Sequence, residues 1–128
     1  DTMVLVWSAT KGPAAACVMH ALQVAERSPL TKIREFWPEF ARNGKEDISV
    51  ADVLCHRAGL AAIERQDLSI FVHEEVVRAL EEQTPLWPNK CGHGYSPRIF
   101  GFLADEIVRR LQGIPLGAYW RTVFGDPL

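Results

Sequence analysis

Met3-Val4-Leu5-Val6-Trp7-Ser8-Ala9-Thr10-Lys11-Gly12-Pro13-Ala14-Ala15-Ala16-Cys17-Val18-Met19-His20-Ala21-Leu22-Gln23-Val24-Ala25 carries two kinds of local structure in succession. Residues 3–7 are apolar and β-prone, the pattern of a short buried strand. Gly12-Pro13 then opens a helix, since proline is tolerated in the first turn, where its missing N–H has no partner anyway. From Ala14 to Ala25 the helix is apolar almost all round, which predicts a central, buried element. Ser8–Lys11 between them reads as a tight helical turn, irregularly joined to the regular helix. Ser8 and Lys11, three residues apart, then lie on one face. An amine there can accept a hydroxyl proton and turn the hydroxyl into a nucleophile.

The rest of the chain reads as further helices. Ile33 to Phe40, with Phe36, Trp37 and Phe40 around Pro38, predicts a short helix ending at a proline-bounded turn. Asn43-Gly44-Lys45 is a turn. Ser49 is the N-cap of a helix from Val50 to His56, with Asp52 in its first turn and Gly59 as its left-handed stop. Residues 60–72 are irregular. His73 to Gln83 is amphipathic, with Val76, Val77 and Leu80 on one side. Trp87 to Pro97 is a Pro/Gly/Asn-rich loop. A long helix runs from about Arg98 to Gln112 and stops at Gly113, and a last one spans Leu116 to Val123. The architecture expected is mainly α, five or six helices with almost no sheet.

Bulk properties narrow the function. The 128 residues suffice for one domain with a real core, and 48% apolar with 23% charged is ordinary globular composition. A net charge of -2 without a basic patch argues against nucleic acid or an anionic membrane as partner. No apolar stretch is long enough to span a bilayer. The opening at Asp1-Thr2, inside a strand-like run, reads as an excised segment rather than a leader. Three cysteines without paired spacing do not form a disulfide framework, which points to a reducing, cytoplasmic setting.

Chemistry concentrates in two places. S-x-x-K is a short motif that recurs by chance, and the plain alternative is a helix-capping serine beside a solvated lysine. Its context strengthens it, because the Ser8 N–H lies near a helix N-terminus, where developing negative charge is stabilised. A lysine partly enclosed by apolar neighbours also yields its proton more readily. The second place is His93-Gly94-Tyr95-Ser96-Pro97, before the longest helix. A phenol beside an ammonium ionises more easily and can act as base, then as acid. The plain alternative for Tyr95 is packing at a helix start. Cys17–His20, Cys55-His56 and Cys91–His93 pair metal-ligating types, but none has a zinc-site spacing, and no metal or cofactor is expected. Cys91, beside Lys90 and His93, is an alternative nucleophile without an orienting third group.

These residues resemble the serine β-lactamase-like superfamily, in particular the class C-related esterases called family VIII carboxylesterases. Ser8-Ala9-Thr10-Lys11 is similar to its S-x-x-K nucleophile motif. Trp37-Pro38-Glu39-Phe40 resembles the "yLPeF" segment, and Ile48 to Leu60 the "ITVrhLLtHtSGL" stretch. Gly94-Tyr95-Ser96 resembles the "Y-S-N" region, and Phe124-Gly125-Asp126-Pro127-Leu128 the "iFdPLgM" turn. The matches run in family order over nearly the whole chain. The resemblance implies the helical part of an α+β fold, with sheet segments before residue 1 and after residue 128. It implies Ser8 as nucleophile, Lys11 as the group that shares its proton, and Tyr95 as second acid and base. The oxyanion hole would use the Ser8 N–H and an N–H from a strand.

Two departures refine this. Pro97 stands where the family has an asparagine side chain that reaches the lysine and the acylamino group of a β-lactam, which favours an esterase. Asn89-Lys90-Cys91 replaces the "PGT" turn. The third family motif, K-T-G or H-x-G, belongs to a strand beyond residue 128. Three functions therefore stand open: a serine esterase acting on small esters, a β-lactamase or DD-peptidase-type amide hydrolase, and a catalytically incomplete helical module. Helix faces left uncovered would favour a homo-oligomer.

Overall fold

In a computed structural model that describes residues 2–127, five α-helices are linked by short 3-10 turns and loops: α1 (Lys11–Val24), α2 (Val50–Leu54), α3 (His73–Glu82), α4 (Ile99–Gln112) and α5 (Leu116–Trp120). α5 runs on into a π-turn over Arg121–Gly125. Among the described residues there is no strand, and the sole β feature is an isolated antiparallel bridge between Lys32 and Ser49. The mainly α expectation holds.

The expected strand at 3–7 does not form. Residues 2–6 adopt no regular structure, and Trp7 already turns away with φ +47°. Met3, Leu5 and Trp7 are 98%, 84% and 82% exposed. A strand needs a second backbone to satisfy its N–H and C=O groups, and no described segment lies alongside this one. Ser8 falls in a 3-10 turn, Trp7–Thr10, that leads directly into α1. This is the tight turn that the Pro13 position requires.

The helix α1 is buried on one face only, which corrects the reading of a fully buried helix. Ala14, Cys17, Val18, Ala21 and Leu22 are buried, whereas Gly12, Ala16, Met19 and Gln23 are exposed along the opposite side. The buried side packs most extensively on α4, against Leu103, Ala104, Ile107 and Val108 in one core cluster. Small residues at 14, 17 and 21 let the two backbones approach closely. The Gln112 amide adds a 3.0 Å hydrogen bond to the Ala21 carbonyl. α4 ends at Gly113, whose φ of +77° is the left-handed conformation that favours glycine.

A second packing centre lies around Trp37 and Phe40, both fully buried with rings 4.9 Å apart. Ile33 to Phe40 is not one helix. Pro38 splits it into 3-10 turns at Ile33–Glu35 and Pro38–Ala41, because proline cannot donate to a continuous ladder. The Trp37 indole donates to Glu81 of α3 at 2.7 Å. Lys45, fully buried, donates to the Glu81 carbonyl at 3.1 Å and to that of Gln83, closing the C-terminus of α3. Burial pushes its ammonium down to about 8, against the opposing pull of Glu46 and Glu81.

α2 has the expected Ser49 N-cap, which Asp52 closes into a capping box, but is shorter than expected, ending at Leu54. Its left-handed stop is not Gly59. His56 takes that position, with φ +57°, and the Arg57 N–H returns to the Asp52 carbonyl at 2.7 Å. Gly59 is also left-handed at +74°, but it serves the next layer: a Cβ there would meet the Trp87 carbonyl at 2.5 Å.

Candidate active site

The loop of residues 86–97 is stitched onto the turn after α2 by backbone hydrogen bonds. Leu86 N–H reaches Gly59 O at 2.8 Å, and Gly94 N–H reaches His56 O at 3.1 Å. The Trp87 ring fills the space beneath. A Cβ on Gly94 would lie 2.2 Å from its Cη2, and one on Gly92 3.0 Å from its Cδ1. These contacts require glycine and bring the loop's far end across the start of α1.

Ser8, Lys11 and Tyr95 meet there. Tyr95 OH lies 2.6 Å from Ser8 Oγ, and Lys11 Nζ donates to the same oxygen at 3.3 Å. Lys11 Nζ also donates to the Pro97 carbonyl at 2.9 Å. The proline has no side-chain amide for the lysine, yet its backbone supplies the acceptor. Nζ sits 5.0 Å from the centre of the Tyr95 ring and 5.8 Å from that of Phe100. Aromatic faces and a carbonyl thus hold the ammonium against the two hydroxyls. The Tyr95 phenol is held below its ordinary value, first by the hydrogen bond with Ser8, then by Lys11. Either hydroxyl can donate across the 2.6 Å contact, so the bond can serve a tyrosinate as well as a tyrosine. Ser8 and Lys11 border an open hollow of about 280 Å³ with Trp7, Arg98 and Phe100 in its walls. A neighbouring hollow of about 300 Å³ shares Pro97 and Arg98 and is lined by Ile63, Leu68 and Phe102.

The other titratable residues singled out from the sequence lie elsewhere or hold other partners. His20 Nδ1 pairs with Tyr119 OH at 2.7 Å. Cys17 is buried in the core, and burial pushes its thiol up. Cys91 is exposed, and no side-chain hydrogen bond joins it to His93 among the described residues. No group of three His, Cys, Asp or Glu side chains is arranged to hold a metal among the described residues. Among the described residues, no helix is long and apolar enough to cross a membrane.

Two residues beside the site escaped sequence reasoning. His56 Nδ1 lies 2.8 Å from Ser96 Oγ and receives the Ser96 N–H at 3.2 Å. Its ring also packs 5.0 Å from that of Tyr95. Nothing local announces this, since the partners are 40 positions apart.

Comparison with known proteins shows the family. The Beta-lactamase family model matches residues 1–128. Esterase/beta-lactamase LipL of Mycobacterium tuberculosis is 32% identical over 134 residues, which cover 100% of this chain and 30% of LipL. A penicillin-binding protein homolog from Caulobacter crescentus superposes with a TM-score of 0.80 at 33% identity, over 92% of this chain and 33% of that one. A family VIII carboxylesterase superposes with a TM-score of 0.80 at 30% identity, over 89% of this chain and 32% of its own. The chain thus spans about a third of the length of these relatives. With the match running end to end in the sequence and the helices superposing on solved relatives, the chain belongs to the Beta-lactamase family.

Proposed function

We propose that this chain carries the nucleophile side of a serine esterase site, as the helical segment of a β-lactamase-like hydrolase domain. The observation that carries the reading is one oxygen, Ser8 Oγ, held by Lys11 Nζ at 3.3 Å and Tyr95 OH at 2.6 Å. Ser8 attacks an ester carbonyl while its proton passes to Tyr95, ionised under the influence of Ser8 and Lys11. Ser8 is in the first turn of its 3-10 segment, so its N–H has no intrahelical partner and can face the oxyanion. Tyr95 returns the proton to the departing alkoxide and leaves an acyl-enzyme on Ser8. It then deprotonates a water that attacks the acyl carbonyl, and Ser8 regains its proton. Lys11 stays anchored on Pro97 O beside both oxygens and shares the Ser8 proton with Tyr95. The hollow lined by Ile63, Leu68 and Phe102 would receive an apolar part of a small ester.

A second reading, hydrolysis of an amide such as a β-lactam, draws support from the names of LipL and the penicillin-binding protein homolog. The ester reading is favoured because Pro97 offers no side-chain amide to an acylamino group. A chromogenic short-chain ester and a chromogenic cephalosporin, each with Ser8→Ala as control, separate the two. Ester turnover lost in the variant supports the esterase. Turnover of the cephalosporin alone favours the amide hydrolase. No turnover and no labelling of Ser8 by a phosphonate would leave a helical module that only packs or associates.

A further inference from the structure

We propose that His56 is a positioning residue for Tyr95: its unprotonated Nδ1 holds the Ser96 backbone, and protonation of that nitrogen frees the Tyr95 hydroxyl from Ser8. The proposal rests on the reading of Ser8 and Tyr95 as a working pair.

The hydrogen-bond pattern sets the state of the ring. The Ser96 N–H points at His56 Nδ1 at 3.2 Å, and a backbone N–H can only donate. Nδ1 must therefore present its lone pair, with the ring proton on Nε2. The Ser96 hydroxyl, 2.8 Å away, shares that lone pair as a donor in this state and can turn to accept when the nitrogen is protonated. Ser96 is only 4% exposed, so water cannot replace the nitrogen as acceptor. The His56 carbonyl accepts the Gly94 N–H at 3.1 Å. One residue thus grips the chain on both sides of Tyr95, and only the side-chain grip titrates.

A proton on Nδ1 would set donor against donor at the Ser96 N–H, which the Ser96 hydroxyl cannot relieve by turning to accept, and would leave a buried N–H without a partner. The loop must then shift, and a 2.6 Å contact from Tyr95 to Ser8 has no slack to absorb the movement. The titratable groups turned towards the ring are Lys11 of α1 and His93 and Tyr95 of the loop, while α4 presents Phe100 at 5.3 Å. Burial, then His93, then Lys11 oppose a positive charge on the ring and hold it below its ordinary value of 6.5. The holding state therefore stands at neutral pH, and release belongs to the acid side.

His56 occupies a left-handed position, φ +57°, which asparagine also tolerates. An asparagine Oδ1 would offer an acceptor at the place of Nδ1 without titrating. The chain contains two tyrosines, so [13Cζ]tyrosine labelling gives two resonances, of which Tyr95→Phe assigns the one beside Ser8; Tyr119 has its own histidine partner, His20. We would follow both from about pH 8 to about pH 4.5, the range in which histidine titrates. The rate of Ser8 labelling by a fluorophosphonate would be read in parallel. In the wild-type chain the Tyr95 resonance should show an inflection below pH 6.5, and labelling should slow with it. His56→Asn should keep the neutral-pH position and lose the inflection. His56→Ala should sit near the acid-limit position at every pH and label about 10- to 100-fold more slowly. A flat Tyr95 resonance in the wild type, or an inflection that survives in His56→Asn, overturns the proposal. If His56→Ala does not fold, the wild-type and asparagine arms decide alone. Absence of labelling in every variant, with the inflection still tied to His56, would sink the nucleophile reading while upholding the positioning role.

Discussion

Two serines in this chain have a charged residue three positions on, and they are put to opposite uses. Ser49 is 3% exposed, and its hydroxyl lies 2.6 Å from Asp52 Oδ2. The serine oxygen receives the Asp52 N–H at 3.2 Å, and the aspartate receives the Ser49 N–H at 3.0 Å. That is a closed capping box, in which the hydroxyl has its partners and none to spare. Ser8 stands at the exposed start of α1, forms no such cap, and faces an ammonium instead of a carboxylate. The 86–97 loop reaches both pairs: Asn89 lies 3.3 Å from Asp52, whereas Tyr95 OH lies 2.6 Å from Ser8 and the Pro97 carbonyl 2.9 Å from Lys11. Spacing alone does not separate a structural serine from a reactive one. Burial and the sign of the partner's charge do.

The sharpest way to break this comparison is to delete each hydroxyl in turn. Ser8→Ala should abolish phosphonate labelling and reduce ester turnover by about 10³-fold or more, with stability unchanged. Ser49→Ala should leave labelling intact. Tyr95→Phe keeps the ring against His56 but removes the proton carrier, and should slow labelling by about 10²- to 10⁴-fold. If Ser49→Ala slowed labelling as much as Tyr95→Phe, the separation of roles would fail.

The Ser49 cap, with Asp52 in the first turn, was legible because both lie within four residues. Ser8 and Lys11 were legible for the same reason, as a turn that places both on one face. The meeting of Tyr95 with Ser8 spans 87 positions. No periodicity announces it, and the order of motifs in a family resemblance was what brought the two together. His56 was read as the end of a helix, and its grip on Ser96 depends on how two loops stack over Trp87. The strand at 3–7 was misread because apolar β-prone composition does not reveal whether a second backbone lies alongside. Pro97 was read through its side chain alone, whereas its carbonyl holds Lys11.

Gly94 tests whether the loop must hold its present course to deliver Tyr95. A methyl at Gly94 would meet the Trp87 ring at 2.2 Å. Gly94→Ala should cost about 1–3 kcal/mol of stability by overpacking. It should also slow Ser8 labelling, because Tyr95 is the adjacent residue, and leave the Ser49 cap in place. A variant with wild-type stability in urea would show that the indole can move aside.

The smallest effect distinguishes the two serines by pH. Burial by itself would raise the Asp52 carboxyl, but the Ser49 hydroxyl and N–H, then Asn89 and Lys90, hold it below its ordinary 3.8. A carboxyl lowered by folding adds stability that is full above the unfolded value and disappears as pH falls through the folded one. Ser49→Ala removes the strongest of those hydrogen bonds and should cost about 1 kcal/mol at neutral pH. That difference from wild type should shrink below pH 3.8, where Asp52 takes up a proton in either chain. Ser8→Ala should show no such convergence, because Ser8 anchors no carboxylate. Urea midpoints of the three chains between about pH 2.5 and 7 measure this directly. A Ser49→Ala deficit that stayed constant with pH would mean the hydroxyl caps the helix without sustaining the ionised Asp52.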